Sequence, residues 1–211
     1  MYIYGQRSDI MGASGKQKVA EAATKLFGER GYEAVSPRDI QKAAGVGQGS
    51  FYHHFGSKLA LASHALEAIA GEMKKEADAI LGPDNPVEGL RRYITRPRHG
   101  QRGCRLGRFA YEGIIREKAA REPVTDYFDY VGERLVSLME NARAQGSLSK
   151  KVNAEHMATA LMATVQGAYV LARVYQDDKR LKYAMDGLLE LFEMAVLSGR
   201  RPAAKSSGRR K

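Results

Sequence analysis

The chain has 211 residues, of which 44% are hydrophobic and 27% charged, with a formal net charge of +10. That is the make-up of an ordinary globule in one large or two small domains, and no apolar run approaches the roughly 18 residues of a membrane span. The lone Cys104 excludes an internal disulfide and fits a reducing cytoplasm, and the N-terminus lacks the basic start and apolar block of a secretory signal.

The positive charge points to a polyanionic partner, but it is unevenly spread. The tail 199–211 carries Arg200, Arg201, Lys205, Arg209, Arg210 and Lys211 and no acid, which leaves the body at +4. With its Pro, Gly and Ser content, this tail reads as a disordered basic segment. Residues 1–13 read as a flexible N-terminus ahead of the first periodic segment.

From there the sequence predicts an all-α protein. Ser14 and Gln17 have capping-box spacing, and Val19, Ala22, Ala23, Leu26 and Phe27 form one apolar stripe that stops at Gly31. Ser36, Pro37 and Asp39 start a second helix, which ends at Gly45. A third runs from about Gln48 to His54. Ser57 caps a long fourth helix to about Leu81, with Leu61, Ala65, Ala68, Ile69 and Met73 along one face. The segment 82–86, GPDNP, breaks the chain. Further helices are predicted at about 86–96, 104–118, 122–145, 153–176 and 179–198, with RPRHGQRG (96–103) and GSLS (146–149) as loops. This gives a helical unit over 14–58 and a second over 59–198. The last two helices are apolar over most of their circumference. They need cover on two sides, which a second copy of the same pair provides as a four-helix homodimer interface; a helix central in its own core is the alternative.

The stretch GVGQGSFYHHFGSK (45–58) decides the functional reading. It lacks the spacing of a phosphate loop and follows a helix where a strand is required. His53 and His54 diverge by about 100° on a helix and have no ligand cluster beside them, so no metal site is expected. What remains is two short helices joined by Gly45-Val46-Gly47, the pattern of a helix-turn-helix whose second helix enters the DNA major groove. Val46, Phe51 and Phe55 pack inward. Gln48, Ser50, Tyr52 and His53 project outward, with Gln48 suited to adenine and the Tyr52 hydroxyl to a phosphate. Ser36 and Arg38 at the head of the preceding helix, Gly47 and Gly49 at the turn, and Lys58 at the next helix complete the predicted DNA-contacting set. Gly49 removes a side chain where the backbone approaches other backbone or DNA.

These residues carry a resemblance. The run SPRDIQKAAGVGQGSFYHHFGSKLAL is similar to the DNA-binding signature of TetR-type transcriptional regulators, through Ala44-Gly45-Val46, Gly49, Tyr52, His54-Phe55, Lys58 and Leu61. It departs from the signature at Gln41, where alanine is usual, and at Gly47, where a serine or threonine cap is usual. The resemblance implies a homodimer that binds double-stranded operator DNA and is released by a small-molecule effector held among the C-terminal helices. RGCRLGRFAYEG (102–113) resembles a Gly-Cys-x-x-Gly stretch of one subgroup, through Gly103, Cys104, Gly107 and Glu112, with Arg108 where asparagine is usual. It implies that Cys104, flanked by arginines and near a helix start, acts as a redox or electrophile sensor. A small packing residue is the alternative. Candidate effector-pocket residues are Met73, Tyr93, Phe109, Tyr127, Met162, Gln166 and Tyr169, and the scarcity of charge on the presumed inner faces favours a neutral or apolar effector. No catalytic constellation, cofactor motif or membrane segment is read, so a regulator is expected rather than an enzyme. An architectural DNA binder using the basic tail is the alternative.

Overall fold

The structure is a computed structural model that describes residues 7–82 and 85–197, with side chains from residue 15 onward except those of Gln48 and Ser50. Among the described residues regular structure is helical, with eight α-helices, two short 3₁₀ helices and a single bridge between Leu148 and Val196. The predicted all-α class is the observed one. The basic tail, 199–211, and residues 1–6 lie outside the described residues.

Helix α1 spans Arg7–Arg30, so the predicted start at Ser14 is corrected. Nothing between Arg7 and Ala13 denies the backbone an amide, and Gln17 donates to Glu21 one turn on, at 2.9 Å, instead of capping. Its stripe buries Val19, Ala23, Leu26 and Phe27, and Gly31 follows at φ 87°. Helix α2 (Pro37–Ala44) forms where its caps require. Ser36 Oγ accepts the Asp39 amide, the Asp39 carboxylate accepts the Ser36 amide, and Gly45 turns left-handed at φ 64°.

Helix α3 (Gln48–Phe55) begins at Gly47, which adopts φ −75° and ψ 163° and supplies no side-chain cap. Those angles suit any residue, and a Cβ there meets nothing within 4 Å. Gly47→Ser is therefore expected to raise stability by about 0.5 kcal/mol, through a new cap bond and a stiffer unfolded chain. A urea melt that moves the other way would show that the serine cannot reach an amide of the first turn.

Helix α4 (Lys58–Leu81) is capped by Ser57, whose Oγ accepts the Ala60 amide at 3.0 Å, and is about 36 Å long. It packs on α1 through Leu61, Ala65, Leu66 and Ile69 and continues beside α6. Helix α5 (Pro86–Thr95) starts at the Asn85 cap, and α6 (Lys118–Ala144), α7 (Ala154–Val174) and α8 (Lys179–Glu193) complete the C-terminal bundle. The Arg91 guanidinium clamps Glu193 through two bonds of 2.6 and 2.9 Å, tying α5 to the end of α8.

Three predicted boundaries are corrected. The helix expected over 104–118 is absent. Gly103 stands at φ 75°, and Gly107–Tyr111 and Gly113–Arg116 form 3₁₀ helices, because glycines at 103, 107 and 113 break the pattern and outside partners claim the backbone. Helix α6 starts four residues before the predicted Glu122, with Pro123 inside it. Helix α8 ends at Glu193 rather than 198, since the following residues pair with the 147–149 segment through Ser149 N–H to Ala195 O and Leu197 N–H to Ser147 O.

Candidate nucleic-acid interface and adjoining cavity

Helices α2 and α3 and the turn between them rest on α1 through Ile40, Val35 and Phe51, each fully buried. Phe51 holds the inner side of α3, while Tyr52 is 47% exposed beside it, edge-on to the Phe51 ring. Val46 and Phe55 are half-buried against the same core. Arg38, Gly49 and His53 are exposed, so the structure brings them with Tyr52 onto the free side of the unit. The side chains of Gln48 and Ser50 lie outside those described. A Cβ on Gly49 meets nothing within 4 Å, which rules out close backbone approach inside the protein as the reason for this glycine.

Two of the predicted contacts are engaged internally. The Ser36 hydroxyl is committed to Asp39, and these bonds hold the Asp39 carboxyl below its ordinary range. Lys58, predicted to reach a phosphate, instead donates from Nζ to the Tyr32 carbonyl at 2.6 Å and lies over the Tyr32 ring at 3.9 Å. Partial burial lowers the affinity of its amine for the proton.

Behind α3, the end of α1 is latched to the 102–113 segment. The Glu112 carboxylate accepts the backbone amides of Tyr32 at 2.7 Å and Glu33 at 2.9 Å. Glu33 in return accepts the Gly113 amide at 2.9 Å, and Arg108 donates to the Glu29 carbonyl. A Cβ on Gly31 would overlap the Glu112 carboxylate, so glycine here serves both the left-handed turn and the latch.

The same segment walls a cavity of about 270 Å³ within the C-terminal bundle. Met73, Tyr93, Tyr127, Met162, Gln166 and Tyr169 line it together with Phe128, Val131 and Val165. Phe109 does not, because it is fully buried in the core. Cys104 is buried in the cavity wall, its Sγ accepting the Gly107 amide at 3.2 Å. Two of the arginines beside it in sequence are paired with other groups: Arg105, itself in the cavity wall, with Glu72 and Glu76, and Arg108 with the carbonyls of Glu29 and Arg102. A larger cleft of about 840 Å³ follows the seam between α1 and α4, lined mostly by small and charged side chains.

The expectation of a neutral interior is overturned. Arg96, Arg98, His99 and Arg102 line the cavity, all from the RPRHGQRG run. Its three arginines and absence of acids were the signal in the sequence for this lining. Pro97 ends α5, and the Arg98 guanidinium folds back onto the carbonyls of Tyr93, Ile94 and Arg96, as a cation does at a helix C-terminus. Burial pushes the Arg98 pKa down, with repulsion from Arg96 adding to it, and burial pushes the Tyr93, Tyr127 and Tyr169 phenols up.

Helices α7 and α8 leave an apolar face uncovered. Val170, Leu171, Val174 (72% exposed), Leu191 and Met194 (84% exposed) lie on it. By length and composition α7 is apolar enough to cross a membrane, contrary to the expectation that no run approaches this, and only 28% of its most apolar stretch is buried.

Comparisons with known proteins agree on one family. Residues 19–65 match the model for bacterial regulatory proteins of the tetR family, and residues 85–188 match the tetracyclin repressor-like C-terminal domain. The chain is similar to the HTH-type transcriptional repressor DhaR of Mycobacterium sp. (strain GP1), 28% identical over 171 residues, covering 79% of this chain and 86% of the relative. It is similar to the HTH-type transcriptional regulator LmrA of Bacillus subtilis, 25% identical over 186 residues, covering 84% and 96%. Among solved structures, a TetR-family transcriptional regulator from Agrobacterium tumefaciens superimposes with a TM-score of 0.75 at 25% identity, covering 86% of this chain and 98% of that one.

Proposed function

The chain belongs to the TetR family of bacterial regulatory proteins, and from that premise we propose that it is a repressor whose α3 reads an operator and lets go when the C-terminal cavity fills. The observation that carries this reading is the free side of the α2–α3 unit. Arg38, Gly49, Tyr52 and His53 stand there without internal duties, and Gly49 clears space that no protein atom occupies. Arg38 and Tyr52 suit phosphates and fix the register, while the first turn of α3 meets base edges.

Two copies join through the bare face of α7 and α8, which supports a homodimer and sets the two α3 helices to half-sites about 34–36 Å apart. The route from cavity to DNA runs through the 102–113 segment. A ligand that shifts this wall pulls on Arg108 and Glu112, which hold the end of α1, and α1 carries the α2–α3 unit. By linkage, effector and operator then weaken one another equally. Cys104 shares the wall, so thiol modification is a second trigger acting on the same segment. The setting is operator DNA in the bacterial cytoplasm.

Operator fragments selected from genomic DNA test this reading in gel shifts at rising salt. A single pseudo-palindromic site, retained while random duplex is lost, is expected. Equal binding to any duplex would leave only an architectural protein, and no binding at all would end the reading. In the same assay Cys104→Ser is expected to block release by N-ethylmaleimide and nothing else.

A further inference from the structure

We propose that the cavity recognises a small organic carboxylate, with its acid group on Arg96 among the phenols and its apolar body against Met73, Val131 and Met162. The inference rests on the reading of this cavity as the effector site and adds the chemical class of its ligand. The cavity wall combines cationic, phenolic and apolar side chains. Arg96 and Arg98 both lie over the Tyr93 ring, with guanidinium carbons 5.5 and 5.4 Å from its centre. Neither forms an ion pair among the described residues, where the pairs are all made by other groups. Glu76, the sole acid in the wall, is already held by Arg105 at 3.5 Å.

Arg98 is compensated by the carbonyls at the end of α5. Arg96 has no carbonyl partners of this kind; it shares a hydrogen bond with the Tyr127 hydroxyl, and its Nε is buried without one. The Arg96 guanidinium has no counter-charge among the described residues, and its planar fork fits a carboxylate through two parallel bonds. Tyr127 and Tyr169 line the same space, and their hydroxyls, protonated at neutral pH, can donate to an anion. The lining also includes the thioethers of Met73 and Met162 and the aliphatic Val131 and Val165, and about 270 Å³ lies at the small end of ligand pockets. Charge and apolar surface lining one small cavity describe a short aliphatic or aromatic acid.

The test compares matched pairs on the full chain: butyrate with butyramide, hexanoate with hexanamide and benzoate with benzamide, with inorganic phosphate as an anion lacking an apolar body. Thermal shift reads binding and a gel shift on selected operator reads release. The acids are expected to raise Tm and free the operator, while the amides and phosphate do neither. Arg96→Gln is expected to weaken the acid response about 10- to 100-fold while operator binding without ligand stays unchanged. Tyr127→Phe, which keeps the ring and removes one donor, weakens it less. The inference is overturned if no acid shifts Tm, if amides or phosphate match the acids, or if Arg96→Gln responds like the parent chain. Operator binding without any ligand separates the two readings: its loss sinks the regulator, whereas its survival with silent acids sinks only the ligand class.

Discussion

Gly49→Ala is expected to make the protein more stable and its operator complex weaker. Glycine within a helix costs about 0.5–1 kcal/mol relative to alanine, through the larger backbone entropy of the unfolded chain. At Gly49 a Cβ has open space on every side within 4 Å, so the methyl group carries no packing penalty. The gain falls toward the lower end of that range, because the residue sits in the first turn of α3. A helix seated in the major groove brings its N-terminal turn against base edges, and a methyl group there displaces the close approach. The loss in operator affinity is set at about 10-fold or more, the scale of one disrupted base contact. Denaturant melts and gel shifts on the same preparation check the two signs together. If operator affinity is unchanged, the glycine does not clear space for DNA.

The second large effect concerns the latch. Replacing Glu112 with alanine strips the acceptor from the Tyr32 and Glu33 amides, and a lost charge-assisted pair of this kind costs about 1–3 kcal/mol. Gly31→Ala attacks the same contact from the other side. Its Cβ would overlap the Glu112 carboxylate, which cannot swing away without releasing both amides, and the left-handed backbone at φ 87° adds about 1–2 kcal/mol of its own. In the double variant the overlap disappears and only the backbone strain is added. The two losses are therefore expected to be strongly less than additive, with a coupling of about 1 kcal/mol or more in a double-mutant cycle. Additive losses would show that Gly31 and Glu112 act independently and that the segment does not grip α1. Amide exchange at Tyr32 and Glu33 gives a second reading, since both should quicken in Glu112→Ala.

Local chemistry made much of this molecule legible in advance. Ser36, Pro37, Asp39 and Gly45 bracket α2, and Ser57 starts α4, because caps satisfy backbone amides within a few residues of themselves. Six of the seven predicted pocket residues line one cavity, since aromatic, thioether and amide side chains from four successive helices, α4 to α7, converge when the helices pack. Phe109 fails for the same reason that the helix over 104–118 fails. Its apolar spacing suits a helix, but Gly103, Gly107 and Gly113, with the Glu33 carboxylate holding the Gly113 amide, turn the segment into 3₁₀ pieces.

What the residues determined alone, then, is the helical class, the helix-turn-helix and the division of its aromatics, all set by interactions spanning a few positions. The charge of the cavity, the latch from Glu112 to the end of α1 and the internal engagement of Lys58 depended on the tertiary structure. The latch and the Lys58 contact join residues 26 to 80 positions apart, and the cavity gathers residues from Met73 to Tyr169. Sequence periodicity reports which face of a helix is apolar. Whether a loop arginine such as Arg96 meets solvent, a carboxylate or an enclosed space is decided only when distant helices close around it.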